Sequence, residues 1–249
     1  MSGNGSIPFR SVLRMYSVII PAAGSGTRLG SDTPKAFVPI TIQGVTKAVV
    51  EWGIAPFLSD ANCRHVVIAA PKELIQDCAR LFDSCTKVTV VAGGATRQQS
   101  VKQALDFLTH CLGEREDSTV LVHDAARCNL SDDVISRVVA GVAEFGAVTA
   151  AVPVVDAMVR VSKEGTVESE VDRSGVWAVQ TPQGFLLKDL HRAHEEFSPE
   201  HGPALDDASL VGRFRAVSVV QGDPKNCKVT YSTDVELITL YRSVRARHD

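Results

Sequence analysis

The sequence predicts an α/β fold: a mainly parallel sheet with helices on its faces and a projecting two-stranded β-arm. Three observations carry this. Apolar, β-branched runs alternate with segments of helical periodicity. Glycine-bearing or polar clusters follow the ends of those runs. After Pro153 the alternation stops, and two short strand patterns flank a glycine turn.

In chain order the expected sheet strands are Ser17–Ala22, His65–Ala70, Lys87–Ala92, Thr119–His123 and Ala147–Val152. KAVVEWGIAPFL, residues 47–58, reads as a helix. Val101, Ala104, Leu105, Leu108 and Leu112 keep helical spacing, as do Val134, Ile135, Val138, Val139 and Val142. These stripes belong to the core. Residues 154–162 and 166–172 read as two strands around Lys163-Glu164-Gly165. An isolated hairpin is marginal in water, so Val154, Met158 and Val159 are expected to pack on a second subunit. Residues 16–249 are read as one domain with the arm inserted at about 154–175, and residues 1–15 as a flexible extension.

The 249 residues are 45% hydrophobic and 22% charged, enough to bury a sizeable core. The net charge of −3 offers no basic surface to nucleic acid, so an anionic ligand must be held by local Lys and Arg. No apolar run approaches the ~20 residues that cross a bilayer. The six cysteines (63, 78, 85, 111, 128 and 227) form no C-x-x-C pair and no zinc spacing, which implies reduced thiols and a cytoplasmic location.

IIPAAGSGTRLGSDTPK, Ile19 to Lys35, runs a strand into Gly24, Gly26 and Gly30. This G-x-G-x-x-x-G approaches the dinucleotide fingerprint, with Glu51 where a ribose-binding acid would stand. Two features oppose a nicotinamide-dependent oxidoreductase. Pro34 denies the loop a long helix, and Glu51 falls within a helix and not at a strand end. A Walker loop fails for want of Gly-Lys-Ser/Thr. What remains is a loop with Arg28 and Lys35, suited to a polyphosphate met by backbone N–H groups and two fixed charges.

Other strand ends point the same way. GGATRQQS (93–100) starts a helix with Thr96 as N-cap; its glycines admit a flat base or ribose, with Ser100 as a hydrogen-bonding group. HDAAR (123–127) places Asp124 where a carboxylate can hold a divalent metal or a ribose hydroxyl, beside Arg127, while His123 reads as structural. GDPKNCKVTYSTDVELI (222–238) reads as a short strand carrying Asn226 and Lys228, then a helix capped by Ser232 with Asp234 in its first turn. Lys228 would add a third positive charge to the phosphate site.

PAAGSGTRLGSDTPK, GGATRQQSV, VHDAAR, VDRSGVWAVQTPQGF, LDDASLV and GDPKNCKVT, in that order, resemble the 2-C-methyl-D-erythritol 4-phosphate cytidylyltransferase family of the non-mevalonate isoprenoid pathway, from about residue 16 to 242. The resemblance implies a Rossmann-like nucleotidyltransferase fold of the nucleotide-diphospho-sugar transferase type and a homodimer exchanging its β-arms. It implies that CTP and methylerythritol phosphate give the CDP-alcohol and pyrophosphate with Mg²⁺, held mainly by the phosphates with Asp124 as the protein group that can share it. On matching positions, Arg28, Lys35 and Lys228 would stabilise charge at the α-phosphorus. Ala22, Ala23, Gly24, Gly26, Gly94, Ser100 and Asp124 would line the nucleotide pocket. Arg127, Thr181, Asp156 and the partner-borne Arg173 would serve the acceptor phosphate. This chain departs from the family pattern at Cys128, where a proline is usual. It departs again at Ala157 and Val159, where D-T-x-K is typical, and at Glu170 in place of a threonine. Another polyol phosphate, such as ribitol 5-phosphate, therefore stays open as acceptor.

Overall fold

A computed structural model describes residues 14–24, 33–197 and 204–245. Gly26 and Arg28, and nearly all of the N-terminal extension, lie outside the described residues. A seven-stranded sheet holds β1 (Tyr16–Pro21), β4 (Cys63–Ala70), β5 (Val88–Ala92), β6 (Thr119–Val122), β7 (Ala147–Pro153), β10 (Trp177–Leu186) and β11 (Ser218–Gln221). Their order is β11-β7-β10-β6-β1-β4-β5. β4, β1, β6 and β5 run parallel; β10 is antiparallel to both β6 and β7, and β11 is parallel to β7. The expected strands are all present, and β10 and β11 extend the sheet beyond them.

The alternation along β1 decides which helices cover which face. Val18 and Ile20 enter one cluster with Val50, Ile54 and Phe57 of α1 (Val49–Ser59) and Val134, Ile135 and Val138 of α4 (Asp132–Phe145). Ile19 enters the other, with Val101, Leu105 and Leu108 of α3 (Arg97–His110) and Leu190 of α5 (Leu187–Glu195). Period two on the strand thus meets period 3.6 on helices from both sides. α2 (Ile75–Arg80) packs with the α1 and α4 face through Cys78. Among the described residues, no helix is long and apolar enough to cross a membrane.

The N-terminus of α3 is fixed as expected. Thr96 Oγ1 accepts the Gln99 N–H (3.1 Å), and Gln99 Oε1 accepts the Thr96 N–H (3.2 Å). A small hairpin that the sequence reading omits, β2 (Pro39–Ile42) and β3 (Val45–Ala48), turns through Gln43 and Gly44, both at positive φ. Ile40 and Ile42 pack on Trp52 and on Ile238 of α7 (Ser232–Arg245).

The arm is β8 (Met158–Val161) paired antiparallel with β9 (Val167–Val171), turning at Gly165 (φ +85°). Its first strand starts four residues later than expected, because the Val154 N–H bonds the Val176 carbonyl at the arm's base (3.1 Å). Two further expectations need correction. Asn226 and Lys228 lie on an irregular segment and not on a strand, the backbone there being engaged by local turns and by Ala126. Ser232 is already helical; the cap comes from the Asp234 carboxylate, which accepts the Thr230 and Tyr231 N–H groups at 2.6 and 2.8 Å.

Candidate active site

The parallel strands deliver their carboxyl ends to one edge, where ligands of open α/β sheets bind. After β1, the Ala22 N–H bonds the Ala69 carbonyl (2.9 Å), carrying Ala22, Ala23 and Gly24 along the edge of β4. The loop after β5 presses against them. A Cβ on Gly93 would stand 2.5 Å from the Ala23 Cβ, so only glycine fits there. Ser100 is buried and shapes this loop: its hydroxyl accepts the Gly94 N–H (3.1 Å) and donates to the Thr96 carbonyl (2.9 Å). Sequence reasoning offers that hydroxyl to a ligand; in the folded chain it also holds the glycine loop.

Asp124 follows β6. Its Oδ2 lies 2.6 Å from Lys228 Nζ and its Oδ1 3.5 Å from Arg97 Nε. Burial alone would raise the carboxyl's pKa, but Lys228, Arg97 and Arg127 outweigh that and hold it below the usual carboxylate range. The Asp124 N–H donates to Thr181 Oγ1 (3.0 Å), and the Thr181 hydroxyl meets His123 Nδ1 at 3.1 Å. His123 Nε2 faces the Arg127 carbonyl (3.3 Å), and its ring meets Phe57 edge-on. Burial lowers its pKa from 6.5 to about 4. A neutral imidazole bridging a hydroxyl and a carbonyl is structural, in line with the sequence reading.

Arg127 is positioned by two backbone carbonyls, Asn226 (2.6 Å from Nη1) and Val179 (3.4 Å from Nη2), while its buried Nε has no hydrogen-bond partner. Asn226 in turn donates to the Thr181 carbonyl (2.8 Å). The irregular segment bearing Lys228 is thereby tied to β10 and to the loop after β6. Lys35 begins a 3-10 turn, Lys35–Phe37. Its charge reaches Cys128, whose thiol burial pushes up to about 12 while Arg242 and Lys35 oppose the rise. Cys128 packs in the apolar cluster of Val49 and Trp52, its Sγ 3.5 Å from the Val49 carbonyl, so the thiol is a core group here.

The structure thus brings Asp124, Lys228, Thr181 and Arg127 together, with Gly94 and Ser100 linked to them through the start of α3. It leaves Asp156 and Arg173 apart, exposed on the arm, where Arg173 bonds the Val155 carbonyl. Among the described residues neither forms an ion pair. Three groups escape the sequence reading: Arg97, Asp207 and His194. Arg97 Nη1 lies 2.6 Å from Asp207 Oδ2, and His194 Nε2 lies 2.9 Å from Asp207 Oδ1. Burial would raise the Asp207 carboxyl's pKa; Arg97 and His194 hold it low.

Glycine-faced loops beside a carboxylate ringed by cations, at the carboxyl edge of a parallel sheet, define a Rossmann-like domain of the nucleotidyltransferase class. The profile of the 2-C-methyl-D-erythritol 4-phosphate cytidylyltransferase (IspD) family matches residues 16–242, and the chain belongs to that family. Among proteins of that name, one from Symbiobacterium thermophilum is 39% identical over 234 residues, spanning 93% of this chain and 94% of its own. One from Bacillus pumilus is 36% identical over 225 residues, spanning 88% and 93%. Crystal structures agree. The enzyme of that name from Francisella tularensis superposes with a TM-score of 0.77 at 28% identity, covering 91% of this chain and 99% of the other. That from Thermus thermophilus gives 0.70 at 30%, covering 91% and 98%.

Proposed function

We propose that this chain transfers CMP from CTP to 2-C-methyl-D-erythritol 4-phosphate, releasing pyrophosphate. Family membership over residues 16–242 carries this reading, and the cationic cluster around Asp124 gives it a physical basis. A phosphate oxygen of the acceptor attacks the α-phosphorus as the bond to the pyrophosphate oxygen breaks. No covalent enzyme intermediate is required. Such transfer asks for positioning and charge neutralisation more than for a protein nucleophile.

Lys35 and Lys228, with Arg28 from outside the described residues, stabilise charge at the α-phosphorus. Ala22, Ala23, Gly24, Gly26, Gly94 and Ser100 form the nucleotide wall. Arg127 and Thr181 serve the acceptor side. Mg²⁺ fits the donor set: Asp124 is a single hard carboxylate kept ionised by its neighbours, and magnesium commonly takes one or two carboxylates with substrate phosphates. Bound there, it would neutralise phosphate charge. Lys228 is half-exposed and free to turn from Asp124 to a phosphate when a cation is present.

The arm carries Asp156 and Arg173 to a partner's acceptor site in an exchanged homodimer, and residues 16–249 act as one domain with the arm as an insertion. Exposed Met158, Val159 and Val161 support this, because an arm without its own core needs a second surface. The test is a pyrophosphate-release assay with CTP and either methylerythritol phosphate or ribitol 5-phosphate. Turnover with the first should exceed that with the second. A preference for ribitol 5-phosphate would overturn the acceptor assignment and trace to Ala157, Val159 and Glu170.

A further inference from the structure

Arg97 has no substrate-binding role assigned above, yet it stands between the fully buried carboxylate of Asp207 and the largely buried one of Asp124. On one side it meets Asp207, which is fully buried and is also met by the buried His194. On the other its Nε faces Asp124 Oδ1, the oxygen that Lys228 leaves uncovered. The chain His194, Asp207, Arg97, Asp124, Lys228 therefore runs from α5 through the start of α6 (Asp207–Val211) and α3 to the nucleotide edge.

A plain structural tether between α3 and α6 would need only the Arg97–Asp207 pair. Two features go beyond that. The start of α6 is itself anchored: Gln183 donates to Asp206 (2.8 Å) and accepts the Ala208 N–H (3.1 Å), so Asp207 is presented on a fixed backbone. The two cations flanking Asp124 also differ in freedom. The Lys228 side chain is 46% exposed and that of Arg97 26%. Lys228 can leave for a phosphate; Arg97, clamped by Asp207, stays.

We propose that Arg97 is a positioning residue: held by Asp207 and His194, it keeps the Asp124 carboxylate in place while Lys228 moves between that carboxylate and the nucleotide. Arg97, Asp207 and His194 act through Asp124. The inference rests on the reading that Asp124 lines the nucleotide site.

A double-mutant cycle tests it. CTP affinity is measured calorimetrically without acceptor, and kcat/KM for CTP by pyrophosphate release, in Arg97→Gln, Asp124→Asn and the double variant. Arg97→Gln should lower kcat/KM by about tenfold or more, the usual range for groups that orient a ligating side chain. In the Asp124→Asn background the same change should cost less than about twofold. Arg97→Lys, which keeps the charge, should recover part of the loss. If Arg97→Gln does not fold, Asp207→Asn, which keeps the shape, enters the same cycle. Equal penalties in both backgrounds, or a lowered melting temperature with unchanged CTP affinity, would reduce Arg97 to a tether. A wild-type chain that binds no CTP would instead overturn the site itself.

Discussion

Around Asp124, buried polar groups meet one another; along β8 and β9, apolar side chains meet solvent. In the first region Asp207 and His123 are fully buried, and the polar side chains there are tied to neighbours by bonds of ordinary length. In the second, Val155 is 77% and Val167 59% exposed, although both sit in or beside regular β-structure. Among the described residues, one chain by itself gathers Asp124, Lys228, Arg97 and Arg127 at this edge. On the proposed reading the acceptor side draws on the arm's residues, which would gain a use only on another surface. The substitutions at Ala157, Val159 and Glu170 all fall in this second region, where the folding of a single chain constrains sequence least.

The largest effect should come from the cations proposed to face the phosphates, Lys228 beside Asp124 and Lys35 at the start of its 3-10 turn. Lys228→Ala and Lys35→Ala should each lower turnover roughly 10²- to 10³-fold. Lys228 is half-exposed, so its removal should leave the melting temperature near that of the parent. Pyrophosphate release and a thermal melt, run on the same preparations, give both numbers. Unchanged turnover in both variants would break the claim that this edge carries the chemistry.

Next comes the pH dependence of stability that the buried His123 brings to the first region. His123 is neutral in the fold, its pKa lowered from 6.5 to about 4 by burial. The unfolded chain therefore binds a proton that the folded chain refuses. Stability from this group is complete above about pH 6.5 and is lost as pH falls towards 4, by about 3 kcal/mol in total. Urea midpoints at pH 7.5 and 4.5 measure the loss. His123→Asn should remove this part of the slope; an unaltered slope would mean that other groups carry it.

The arm follows. Met158→Glu combined with Val159→Glu should weaken self-association by at least about 30-fold, the effect of losing one interface hot spot. Sedimentation over a concentration series reads it. A wild-type chain that stays monomeric at assay concentrations would break the comparison, because the arm's exposure would then have another cause.

The same contrast explains what is legible in the sequence. β1, β4, β6 and most of β7 are buried on both faces, and the edge strand β5 is half-buried, so each reads as an apolar run ending in glycine or polar residues. Asp124 and Lys228 stand out for their place beyond such runs or in a polar motif. β10 does not, because WAVQTPQGFL turns Gln180, Thr181 and Gln183 inward to bond Asp223, His123 and Asp206, and inward polar side chains erase the alternation. β2 and β3 are lost for brevity, four residues each around Gln43-Gly44. Arg97 and Asp207 are 110 positions apart, and no local pattern announces a pair made only by the fold. The hairpin of the arm is readable because Lys163-Glu164-Gly165 is local turn chemistry.

The smallest effect compares two glycines that differ only in region. Gly44 turns β2 into β3 at φ +78°, and Gly165 turns β8 into β9 at φ +85°; neither would bring a new Cβ within 4 Å of a neighbour. Alanine at either position therefore meets the same backbone strain and no clash, a cost of about 1 kcal/mol. The consequences should differ. The β2–β3 hairpin is bound to the body through Ile40 and Ile42 against Trp52 and Ile238, so strain at Gly44 must register in global unfolding. The arm has no such attachment in a single chain. In the monomeric Met158→Glu/Val159→Glu background, Gly44→Ala should lower unfolding free energy by about 1 kcal/mol. In that background Gly165→Ala should leave the denaturation midpoint unchanged and alter only the backbone signals of residues 158–171. In the parent, Gly165→Ala should instead weaken self-association slightly, because in the proposed exchanged dimer the strained turn would belong to the interface. A midpoint lowered equally by both alanines in the monomer would show that the arm folds as one unit with the body, contrary to the division drawn between them.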